Sequence, residues 1–138
     1  MRSLAAIEAE LDAFVRSADG PHAARTLLAL AEEVLEQWTV ARGETPTDEQ
    51  REGFRLLALH RQGAQGEPSF NACRETCREI AYHYNLLCMR PDPELDARRQ
   101  QMMAMLAKHL TLFVGGKMQS EQLGEFCCSS RALRTASS

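Results

Sequence analysis

Apolar residues recur three and four positions apart along almost the whole chain, the repeat that lays one stripe along a helix. No segment alternates with period two over a useful length, so the pattern predicts an all-α protein. The first helix is expected from Leu4 to Ser17, with Ser3 as its N-cap and Leu4, Ile7, Leu11 and Phe14 on one face. Asp19-Gly20-Pro21 breaks it, and the proline suits the first turn of a second helix from Pro21 to Arg42. That helix buries Leu27, Ala31, Val34 and Trp38 and stops at Gly43. A capping box, Thr47 with Gln50 three residues on, predicts the start of helix three, which carries Phe54, Leu57 and Ala58 and ends near Gly63. Residues Gly63 to Pro68 read as a loop.

Helix four is expected from Ser69 or Asn71 to just before Pro91, on the stripe Phe70, Cys73, Cys77, Ile80, Tyr84 and Leu87. Asp92-Pro93-Glu94 then combines an N-cap, a proline and an acid in one first turn. Helix five follows to Val114 and stops at Gly115-Gly116. Met102, Met103, Met105, Leu106, Leu110, Leu112 and Phe113 make it apolar most of the way round, the mark of a central or interface helix. A shorter sixth helix is expected at Ser120 to Cys128. The architecture read from this pattern is a single-domain bundle of five to six mostly antiparallel helices over residues 1–128, with a Ser-rich flexible tail at 129–138.

With 138 residues, 44% hydrophobic and 25% charged, the chain can bury one ordinary core. The net charge of −3 argues against a nucleic-acid binder. Arg74, Arg78, Arg98 and Arg99 alternate with Glu75, Glu79 and Glu94, which reads as a mixed surface. The N-terminus turns acidic by Glu8 without an apolar run, so no secretory signal is expected. The longest apolar stretch, Met102 to Val114, is interrupted by Lys108 and His109 and is too short for a membrane span. An odd count of 5 cysteines argues against a secreted disulfide framework, and the expected location is cytoplasmic.

Two groups of residues could carry chemistry. Cys73 and Cys77 lie one turn apart and could share a soft metal or a redox couple, with His109 a further possible ligand on the apolar side of helix five. Cys88 is about 16 Å further along the axis and cannot join the same small site. The plainer reading makes both thiols small core residues and His109 a core histidine held by one hydrogen bond. The second group is Glu32-Glu33-x-x-Glu36 in helix two and Glu49-x-x-Glu52 at the expected start of helix three. These residues resemble the all-alpha nucleotide pyrophosphatases of the MazG type, which use Glu-Glu-x-x-Glu and a following Glu-x-x-Asp to hold magnesium around a nucleoside triphosphate. The resemblance covers only these positions, and Glu52 stands where that pattern has Asp. It implies a magnesium-dependent hydrolase with Glu32, Glu33, Glu36, Glu49 and Glu52 as the carboxylates. The helical step instead turns Glu32, Glu33 and Glu36 roughly 130–230° away from the buried stripe, onto a solvated face.

Gly115-Gly116-Lys117 follows a helix rather than a strand, so it reads as a helix terminator and not a phosphate loop. No Gly-x-Ser-x-Gly elbow, His-Glu-x-x-His or dinucleotide fingerprint is present. The leading expectation is therefore a non-enzymatic protein-interaction or regulatory module. The methionines of helix five supply an adaptable surface, and homodimerisation follows if only one face of that helix is buried within the subunit. A thiol- or metal-responsive regulator and the magnesium pyrophosphatase are the alternatives.

Overall fold

The computed structural model describes residues 2–16, 23–65 and 73–120. Among them the chain is all-α, with five helices and no strand: α1 (Leu4–Arg16), α2 (Ala23–Ala41), α3 (Arg55–Ala64), α4 (Arg74–Met89) and α5 (Asp96–Ser120). The break at 19–21, the expected helix from 120 to 128 and the tail at 129–138 lie outside the described residues, apart from Ser120 at the end of α5. No helix of the described residues is long and apolar enough to cross a membrane.

Where a helix end is written in local hydrogen bonding, sequence and structure agree. The Ser3 hydroxyl accepts from the Ala6 N–H at 3.1 Å and caps α1. α2 ends in a Schellman turn: the Gly43 N–H donates to Val40 O at 2.9 Å and the Glu44 N–H to Thr39 O at 3.1 Å. Gly43 takes φ +81°, which its missing Cβ makes inexpensive. Before α5, Asp92 accepts the Glu94 N–H at 2.9 Å, while Asp96 reaches back to the Asp92 N–H at 3.2 Å.

Two boundaries differ from the pattern. Residues 47–54 do not begin helix three, because their backbone is claimed from elsewhere. The Thr47 N–H donates to Gln62 Oε1 at 2.9 Å, and Thr47 O accepts the Arg55 Nε–H at 2.9 Å. Thr47 Oγ1 caps only a local turn, accepting from the Glu49 N–H at 3.0 Å. A tight reversal follows, in which Arg51 and Phe54 exchange both backbone hydrogen bonds at 3.0 Å. Its central residues, Glu52 and Gly53, both have positive φ, 56° and 85°, as a type I′ turn requires. Only beyond this turn does α3 start.

The second difference lies at Gly115-Gly116, where α5 does not stop but runs on to Ser120. Two glycines cost about 1 kcal/mol each in a helix interior. Burial beyond them outweighs this cost: Val114 and Lys117 are fully buried, and the Lys117 ammonium lies 5.5 Å from the Trp38 ring centroid and 5.8 Å from that of Phe113. Lys117 is thus a packing residue and not part of a terminator.

The core forms around α5, which packs against α1, α2 and α4, while α2 also meets α3. α5 turns Met103, Ala104, Ala107, Leu110 and Val114 inward against Ile7 and Leu11 of α1, Leu27, Val34 and Trp38 of α2, and Cys77 and Ile80 of α4. The small Ala104 and Ala107 let these neighbours approach closely. Trp38 joins three elements, because its indole N–H donates to Gly63 O at the end of α3, 3.1 Å away, and Arg42 donates to the same oxygen.

Candidate functional site

The carboxylates do not converge. Glu32 and Glu36, one turn apart on α2, both pair with Arg55 at the start of α3, and Glu33 pairs with Arg2 at 2.9 Å. Glu52 accepts a two-pronged bond from Arg78 of α4, at 3.1 and 2.9 Å, and the exposed Glu49 lies in the non-helical segment. Glu49 and Glu52 therefore lack the helix on which the pyrophosphatase resemblance rests. The α2 glutamates are not a freely solvated face either, for arginines cover them and leave their side chains about 20–23% exposed. Burial holds the Glu32 carboxyl above its ordinary range, and the nearby Arg55 only partly opposes this. Among the described residues, no group of three or more His, Cys, Asp or Glu side chains could hold a metal ion.

The α2–α3 ion pairs give a pH-dependent prediction. Because the folded Glu32 pKa is raised, its stabilising contribution is complete below the unfolded value of about 4.3 and is lost as pH rises through the folded value. Arg55→Met removes the one attraction that restrains this shift, leaving Glu32 and Glu36 facing each other. The expected outcome is a loss of about 1 kcal/mol at neutral pH that shrinks towards pH 4. Urea unfolding of both proteins across this range tests it, and a deficit that does not change with pH would contradict it.

Cys73 and Cys77 both lie in the core, as their stripe predicts, and Cys77 and Cys88 are free thiols. Burial alone pushes the Cys77 thiol up to about 12, so it is not a ready nucleophile. His109 is not a core residue. It is exposed on the outer side of α5, away from both cysteines' buried stripe. The error has a physical origin: α5 carries apolar residues on both sides, so periodicity alone could not choose which side faces inward.

The outer side of α5 is itself a site candidate. Met102, Met105, His109 and Leu112 follow one another at helical spacing along this exposed face. The three apolar members are 43%, 54% and 52% exposed, and the stripe spans about 15 Å of helix. Methionine is flexible and polarisable, and such a row can adapt to a facing helix.

The remaining feature was hidden by treating Arg74 and Arg78 as a mixed surface. The two residues lie one turn apart on α4 and face a cleft of about 330 Å³, whose other walls are α3 and the Glu52-Gly53 turn. α3 contributes Leu57, His60 and Arg61 at helical spacing, and the turn contributes Arg51 and Glu52. Four arginines and one carboxylate thus line the cleft, while Glu75 and Glu79 are exposed and are not among its lining residues. The sequence signal was the Arg-x-x-x-Arg spacing, but the other two arginines arrive only through the turn and α3.

No model of a known protein family, no curated protein and no solved structure matches this chain, so its function has to be argued from these side chains alone.

Proposed function

We propose that this protein is a non-enzymatic helical bundle that works by binding another protein chain, and that its partner across α5 is a second copy of itself. The observation that carries the reading is the row Met102, Met105 and Leu112, exposed on a helix whose opposite side is the centre of the core. A helix that carries an exposed apolar row opposite its buried side can hide that row by association. A two-fold axis lets one stripe pair with its own copy, the simplest closed arrangement. The free thiols of Cys77 and Cys88 suit a reducing, cytoplasmic setting.

Native mass spectrometry and light scattering of the reduced full-length protein test the proposal. A dimer is expected, with a melting temperature that rises with protein concentration. Met105→Glu together with Leu112→Glu should give a monomer whose melting no longer depends on concentration, since both side chains are half-exposed in the subunit. A wild-type protein that stays monomeric at all concentrations would refute self-association.

A further inference from the structure

We propose that the arginine-lined cleft between α3, α4 and the Glu52-Gly53 turn binds a small polyphosphate anion, of the class of a pyrophosphate or triphosphate group. This inference is independent of the self-association reading, which concerns α5.

Arg51, Arg61 and Arg74 are exposed, line one cleft, and have no carboxylate partner among the described residues, in a chain whose net charge is −3. A folded chain with an excess of acids would ordinarily scatter its cations among them, as it does with Arg2, Arg55, Arg99 and Lys108. Three such guanidiniums around one concavity can engage several anionic oxygens at once. A single carboxylate cannot supply them, whereas linked phosphates can, and the planar guanidinium fork matches their geometry.

The structure holds an internal example of this recognition. The Glu52 carboxylate sits on Arg78 with two near-parallel hydrogen bonds, at 3.1 and 2.9 Å, the arrangement an anionic ligand would adopt. Glu52 is presented there by a backbone of φ 56°, at a turn position that favours Asn, Asp or Gly. Strain of this kind, placed in a cleft, points to a local role. Glu52 thus occupies the fourth arginine until a stronger anion displaces it. The cleft volume of about 330 Å³ suits a small ligand. No Phe, Tyr or Trp is among its lining residues and the His60 ring is buried, so the recognised part is the phosphate chain and not a stacked base.

The test is calorimetric titration of the full-length protein with sodium pyrophosphate and with tripolyphosphate, in buffer free of divalent metals. Saturable one-to-one binding is expected. Arg61→Ala and Arg74→Ala should each weaken it about tenfold or more, consistent with loss of a charge-assisted contact. Glu52→Gln should strengthen it several-fold by freeing Arg78. Arg98→Ala, which removes an exposed charge on α5 outside the cleft, should leave it within about twofold. Unchanged thermal melting will show that the variants remain folded, and Arg74→Lys, which keeps the charge but not the fork, should give an intermediate affinity. The proposal is overturned if neither anion binds saturably, or if Arg98→Ala weakens binding as much as Arg61→Ala does. It is equally overturned if Glu52→Gln leaves affinity unchanged, or if a single-stranded oligonucleotide binds the same arginines more tightly than either anion.

Discussion

Replacing Trp38 by alanine is expected to destabilise the protein by about 3–5 kcal/mol, the range for removing a large aromatic side chain from a close-packed core. Trp38 is fully buried and is the chain's one tryptophan. Its loss would do more than leave a cavity. Gly63 O would lose the indole donor at the end of α3, and the Arg42 and Lys117 cations, each 5.5 Å from the ring centroid, would lose its π face. Domains of this size are commonly stable by only 5–15 kcal/mol, so the variant should melt far below the wild type. Trp38→Phe retains most of the apolar volume and the ring face but not the N–H donor, and should cost markedly less. Circular dichroism melting of both variants decides the matter. Equal, small losses would mean that the α2–α3–α5 junction is not as tightly packed as described.

The second large effect concerns Cys77. With its thiol pushed up to about 12 by burial, the thiolate at pH 8 is about two thousandfold scarcer than for an ordinary cysteine of pKa about 8.5. Alkylation followed by peptide mass mapping should therefore label the exposed Cys88 early and leave Cys77 unmodified until the protein is unfolded. The same burial sets a pH dependence. A group whose folded pKa is raised keeps its stabilising effect below the unfolded value, and loses it as pH climbs towards the folded one. Between about pH 8.5 and 12 the wild type should lose up to about 1.4 kcal/mol per pH unit relative to Cys77→Val, which has no proton to lose. Rapid alkylation of Cys77 in the native state would reverse this and restore the thiol-responsive alternative.

The parts of the fold that were legible in the sequence share one property: they are decided within a few residues. Ser3, Gly43 and Asp92 each satisfy backbone groups of their own helix end, so residue type and spacing were enough. Thr47 carries the same capping signal, yet Gln62 and Arg55 claim its backbone from fifteen and eight residues away. Gly115 and Gly116 read as a stop because propensity is local, whereas the burial of Val114 and Lys117 that overrides it depends on Trp38, far off in the chain. The candidate sites follow the same division. The cysteines' core position came from one stripe. The reversal of His109 to the outside and the gathering of Arg51, Arg61, Arg74 and Arg78 came from packing between elements, which no spacing rule encodes.

The burial of Trp38 also gives the molecule its own optical reporter. A single indole, hydrogen-bonded to a carbonyl and seated where the ends of α2 and α3 meet α5, emits from one environment only. Its emission should move to longer wavelength when those three elements part. Separation of the proposed dimer along the outer face of α5 should leave it unchanged, because Met105 and Leu112 point away from the ring's buried side of the helix. Intrinsic fluorescence and light scattering on one sample would thus distinguish a subunit that has lost its partner from one that has lost its fold.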